Sequence, residues 1–183
     1  TSTTIEELES YSDKNEPLWI TSLVIREIIR LNPTTKKGSG TQTRVSLASS
    51  SLNRGGAERQ LCYTFNGLDK KRYCPELVVQ RIDGRGNGET YASIIDGEIS
   101  ELTEIYSNDK KHPEQIDSRT SSLIALLPKT TSEPMMRYLN HFQKTEPEIV
   151  HCWQDQTMIA AGLAALVSGV PFGLGSARSM RPD

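Results

Sequence analysis

The sequence is poor in cysteine: Cys62, Cys74 and Cys152 are the only three in 183 residues. They form no Cys-x-x-Cys pair and no Cys/His cluster, which argues against a metal site of the zinc type. An odd, widely spaced set fits reduced thiols in a cytosolic protein better than a disulfide framework. A dominant charge is missing as well. The 21 basic and 23 acidic residues leave a net charge of −2, so there is no general electrostatic argument for nucleic acid or an anionic membrane surface. Hydrophobic residues reach only 36%, against roughly 45–50% for a globular average counted with glycine; the shortfall points to polar linkers or tails. No run is apolar enough to span a bilayer. The longest, Leu18 to Leu31, is interrupted by Arg26, Glu27 and Arg30. There is no signal-peptide pattern and no initiator Met, and the chain stops at Arg181-Pro182-Asp183 straight after an apolar run. A piece of a larger protein is therefore expected.

The organisation divides into three parts. Residues 1–31 read as an acidic lead followed by a helix. Leu18, Trp19, Ile20, Leu23, Val24, Ile25, Ile28, Ile29 and Leu31 crowd one broad face that must pack on something; dimerisation through this surface is left open. Residues 32–43 (NPTTKKGSGTQT) have linker composition. Residues 44–183 alternate strand and helix patterns. Strands are expected at 45–52, 76–82, 98–103, 148–153 and 172–176. A helix follows the first, with Ala57, Leu61, Phe65 and Leu68 on one face. A short helix is expected at 89–96 with Gly97 as its C-cap, residues 95–98 being alternatively a hairpin turn. Further helices are expected over 121–127, from Ser132-Glu133 through Phe142, and over 155–168. The alternation predicts an α/β fold with a doubly wound, mostly parallel Rossmann-like sheet in the order 3-2-1-4-5. Such sheets bind ligands outside the strand C-termini, where the order reverses.

Three loops on that expected edge carry chemistry. Asn53-Arg54-Gly55-Gly56-Ala57-Glu58-Arg59 joins the first strand to its helix. Its glycines allow a tight turn and close backbone approach, and the helix start offers unpaired N–H groups to an anion. It is neither the dinucleotide fingerprint nor a P-loop, and a plain glycine turn with a helix cap explains it equally. His151-Cys152-Trp153-Gln154-Asp155-Gln156-Thr157 ends the fourth strand; polar side chains there would face the crevice or simply cap the next helix. Ser176-Ala177-Arg178-Ser179-Met180-Arg181 follows the fifth. Arg178 and Arg181 suit phosphate or carboxylate through forked hydrogen bonds, or form a solvated basic loop. Gly84-Arg85-Gly86-Asn87-Gly88 reads as a flexible turn. A nucleotide-binding oxidoreductase or epimerase is disfavoured, because the third glycine is missing and Asp83 lies 28 residues beyond Gly55.

LASSSLNRGGAERQL resembles the opening strand, Gly-Gly loop and first helix of family-4 glycosyltransferases of the GT-B fold. PEIVHCWQDQTMIAAGLAALVSGVPFGLGSARSMRPD resembles their fourth strand, its helix and the next strand. The resemblance covers about residues 44–183 and implies the N-terminal, acceptor-side half of a two-domain enzyme. The implied activity is transfer of a hexose, with retention, from a nucleotide-diphosphate sugar to a sugar or lipid-linked acceptor in bacterial surface polysaccharide or glycolipid synthesis. No metal and no cofactor beyond that donor substrate are implied. The missing partner is the C-terminal donor-binding domain with its pair of glutamates. A cytoplasmic location follows from the resemblance, with association at the inner face of the plasma membrane left open. It assigns a ligand-contacting role to Gly55 and Gly56 and leaves a site-facing one to Trp153, Gln154 and Asp155; Arg54 in the same loop, and Arg178 and Arg181 across from it, are expected to bind substrate from their place on that edge. Many members carry a second His where this chain has Trp153, so no catalytic residue is assigned and the fragment alone is expected to be inactive. The competing reading is a non-catalytic Rossmann-like ligand-binding or interaction module.

Overall fold

The computed structural model describes residues 17–32, 40–83, 89–96, 101–107 and 116–176, with only the backbone given for 17–20. The elements in chain order are α1 (Pro17–Leu31), β1 (Thr43–Ser49), α2 (Gly56–Gly67), β2 (Tyr73–Val79), a 3-10 turn (Tyr91–Ile94), β3 (Leu102–Glu104), α3 (Ser118–Ala125), α4 (Lys129–Thr145), β4 (Ile149–Trp153), α5 (Asp155–Val167) and β5 (Phe172–Ser176). The five strands form one parallel sheet in the order β3-β2-β1-β4-β5. This is the doubly wound, Rossmann-like arrangement that the strand–helix alternation dictates.

Alternation along β1 explains the two-sided core, since successive side chains point to opposite faces. Val45 and Leu47 join Leu61, Cys62 and Phe65 of α2, Leu77 and Val79 of β2, and Trp153. On the other face, Ala48, Val78, Val150 and Cys152 meet Tyr138, Leu139 and Phe142 of α4 and Ala160, Ala161 and Ala164 of α5. The small residues of α5 permit that close approach. Val24 and Ile28 of α1 are fully buried in this second cluster, and Leu23, Ile25 and Leu31 pack against it. These five side chains of α1 are therefore covered by the chain's own α/β layer, while Ile29 stays 52% exposed.

Several boundaries differ from the sequence expectation, each for a physical reason. Strand one lies at 43–49 instead of 45–52, and strand two at 73–79 instead of 76–82. In both, an apolar residue beyond the strand end packs from a loop: Leu52 is fully buried, and Ile82 packs against the same α2-side core. Strand two also starts before Pro75. β3 pairs with β2 only from Leu77 onward, so the proline sits where one side of β2 is an open edge. The expected helix at 89–96 is only the 3-10 turn, and strand three runs 102–104 instead of 98–103; Gly97 and residues 98–100 lie outside the described residues. α3 starts at Ser118, ahead of 121, because the Asp117 carboxylate accepts the Thr120 N–H at 2.9 Å. α4 starts at Lys129, ahead of Ser132. The Pro128 carbonyl accepts from Thr131 N and Ser132 N at 2.8 and 2.9 Å, which leaves Pro134 inside the helix and buried.

A charged cluster ties α4 to the sheet. Glu76 of β2 accepts from the Ser46 hydroxyl and, at 3.2 Å, from Thr145 Oγ1, and its other oxygen lies 3.0 Å from His141 Nε2. Burial alone would push the Glu76 carboxyl up. The hydrogen bond and positive charge of His141, with the two hydroxyls, outweigh it and hold the group below its ordinary 4.5. A depressed carboxylate contributes stability above its unfolded value and loses it as pH falls through the folded one. We expect Glu76→Gln to be less stable than wild type at neutral pH, with the gap closing below about pH 4.5. Chemical denaturation across the acid range checks this; a gap independent of pH would show that the ion pair adds nothing.

Candidate functional site

Pairing of β1 with both β2 and β4 brings the C-terminal ends of β1 and β4 side by side. α2 leaves toward one face and α5 toward the other, and both helices start at this edge. Gly55 is the N-cap of α2, in extended conformation, with no side-chain cap. Gly55 has no side chain with which to cap the first-turn N–H groups, and the carboxylate beside them is that of Glu58. A Cβ built on Gly56 meets no atom within 4 Å, whereas one on Gly55 would lie 2.3 Å from Glu58 Oε2. Glu58 folds back over the helix start.

Gln154 stands across from this loop, at the N-cap of α5. Its backbone has φ 72 and ψ 148, a region that L side chains rarely adopt, at a cost of order 1–3 kcal/mol. Its side chain bridges the switch point. The Ser50 hydroxyl donates to Gln154 Oε1, and Gln154 Nε2 donates to Glu58 Oε1. One amide thus joins the ends of β1 and β4 to the first turn of α2. Tyr138 of α4 fixes β1 from behind, its buried hydroxyl donating to the Ser49 carbonyl at 2.7 Å. Desolvation raises the Tyr138 pKa, so this group stays a donor.

The loop is braced from its other side. Residues 53 and 90 form an antiparallel bridge, Arg54 N donates to Glu89 O at 3.2 Å, and Tyr91 N donates to Leu52 O at 2.8 Å. The Arg54 guanidinium pairs with the Glu89 carboxylate at the surface. Asn66 of α2 clamps the 3-10 turn, donating to Ile94 O at 2.7 Å and accepting from Asp96 N at 2.9 Å.

Of the residues singled out from the sequence, Gly55, Gly56 and Gln154 come together, with Arg54 exposed beside them. Asp155 is exposed in the first turn of α5. Trp153 lies in the α2-side core, 3% exposed, its ring 4.9 Å from that of His151. His151 Nε2 is 2.8 Å from Ser176 Oγ. Arg178 and Arg181 lie outside the described residues. Sequence reasoning passed over Ser50 and gave Glu58 no role beyond its place in the loop motif. The signal for Glu58 was its place three residues after the helix N-cap, where a carboxylate reaches back over the first turn.

The two buried thiols are not poised for nucleophilic attack. Burial and then the Glu58 charge push Cys62 up to about 11, and burial pushes Cys152 up to about 12. Among the described residues, no group of three or more His, Cys, Asp or Glu side chains is placed to hold a metal ion. Among them too, no helix is long and apolar enough to cross a membrane.

Because a Cβ at position 56 meets open space, the fold itself does not require glycine there. Gly56→Ala should keep or slightly raise thermal stability, by up to about 1 kcal/mol from helix propensity. A clear drop in melting temperature would show that the turn is structurally constrained.

Comparison of the chain with protein-family models, with curated proteins and with solved structures gives no match in any of the three.

Proposed function

We propose that this chain is the acceptor-side domain of a retaining glycosyltransferase, which transfers a hexose from a nucleotide-diphosphate sugar to a sugar or lipid-linked acceptor in bacterial surface polysaccharide or glycolipid synthesis. The observation that carries the reading is the switch-point junction. The Gly55-Gly56 helix start and the strained Gln154 stand on opposite sides of the β1 and β4 ends, tied through Ser50 and Glu58. A hydroxyl, an amide and a carboxylate in one polar cluster match the hydrogen-bonding needs of a polyhydroxylated ligand. The resemblance of residues 44–183 to the GT-B acceptor half supplies the reaction class.

In this reading the domain contributes positioning. It orients the acceptor hydroxyl toward the donor, and the helix start of α2 helps stabilise charge that builds on the departing diphosphate. The donor-binding half comes from a further domain. The thiols of Cys62 and Cys152, held in the protonated form, take no covalent part.

The test is transfer of labelled hexose from a panel of nucleotide sugars by the full-length protein. Gly56→Val places a branched side chain in the space that a ligand would enter, and turnover should fall at least ten-fold, about 1.4 kcal/mol, with an unchanged fold by circular dichroism. Wild-type turnover in the variant would reduce the loop to a structural turn. Saturable sugar binding without transfer under any donor would favour a non-catalytic binding module.

A further inference from the structure

A second polar cluster occupies the same edge of the sheet, at the ends of β2 and β3. Tyr106, just beyond β3, is flanked by two guanidinium groups: Arg137 Cζ lies 4.2 Å and Arg81 Cζ 5.3 Å from its ring centroid. The two arginines are not equivalent. Arg137 is 15% exposed; its Nη1 donates to Ile105 O at 3.0 Å, and its Nη2 lies 3.6 Å from Glu133 Oε1. Arg81 is exposed, and no carboxylate lies within ion-pairing distance of it among the described residues. Attraction to a ring leaves the N–H donors of a guanidinium for other partners. Tyr106 thus orients Arg81 without consuming its hydrogen-bonding capacity.

The backbone ties this cluster to the switch point. Arg81 N donates to Ser50 O and Tyr106 N to Gln80 O, both at 3.2 Å, and the Ser50 side chain is the one that holds Gln154. Glu104, at the end of β3, accepts from Ile82 N at 3.3 Å.

We infer that Arg81, Tyr106 and Arg137 form a subsite for a phosphate-type oxyanion, with Arg81 as the directly contacting donor and Tyr106 and Arg137 as its positioning residues. A planar guanidinium held beside a ring matches two oxygens of a phosphate through parallel N–H···O bonds. The inference does not need the glycosyl-transfer reading: it concerns which chemical group binds beside the switch point, whatever reaction follows. Deepened by that reading, it makes the ligand of this half of the crevice a phosphorylated one.

The experiment titrates inorganic phosphate and pyrophosphate into the full-length protein by calorimetry, with Arg81→Gln, Arg81→Lys and Gly56→Val alongside wild type. A parallel arm measures cosedimentation with phosphatidylcholine vesicles with and without phosphatidic acid. Saturable binding, weakened about ten-fold or more in Arg81→Gln and partly kept in Arg81→Lys, supports the subsite. Response to the soluble anions marks a free phosphorylated ligand; response to phosphatidic acid alone marks a lipid phosphate. Gly56→Val reports on the α2 helix start, so phosphate binding lost in Arg81→Gln and kept in Gly56→Val assigns the anion to the Arg81 subsite, and the two readings fail separately. No saturable binding in either arm, equal binding in Arg81→Gln, or loss confined to Gly56→Val overturns the inference.

Discussion

The position of β1 is the constraint on which the rest depends. It is paired on both sides, and its Val45–Ser49 segment is buried. A strand so enclosed must hand its chain to a helix on one face while β4 hands its own to a helix on the other. The two departures cannot overlap, and a crevice opens between them. The first turn of α2 and the first turn of α5 therefore arrive at the same edge. Every polar contact attributed to the site, from Ser50 to Glu58 and Gln154, follows from that crossing.

Gln154 is where the fold accepts a local cost. Glycine would adopt φ 72 and ψ 148 freely, yet this chain places there a side chain with both a donor and an acceptor. Both are used, and the Gln154 carbonyl also accepts from Met158 N at 2.9 Å to begin α5. These hydrogen bonds offset part of the backbone strain and fix the amide across the crevice. Strain retained at a strand-to-helix junction is the pattern expected where a fixed geometry matters more than stability of the turn.

Much of this was legible in the sequence. Apolar runs separated by glycine and polar loops announce the strands, and their alternation with helical spacing fixes the parallel order. Boundaries were harder, because Leu52 and Ile82 continue the apolar pattern past the strand ends while packing from loops. The Gly55-Gly56 turn and Gln154 stand out because they sit at strand-to-helix junctions. Trp153 was read as facing the crevice; its place near the strand end is compatible with either direction, and its indole lies in the core. Arg81, Tyr106 and Arg137 could not be seen, since residues so far apart in sequence share no period and meet only through the pairing of β3 with β2 and the packing of α4.

The engaged state of the reactive groups separates binding from chemistry. His151, the imidazole nearest the β4 end, is held against Ser176 and Trp153. Glu58 is hydrogen-bonded to Gln154, and the Glu76–His141 pair sits midway along β2, tied to Ser46 and Thr145. Two thiols are locked in their protonated form by burial. Each of these groups is engaged with a neighbour or lies inside the core. What this edge offers instead is direction: a helix start, a fixed amide and an oriented guanidinium. Those are the tools for holding a ligand in one orientation, and they suit a domain that presents one reactant to chemistry supplied from across the crevice.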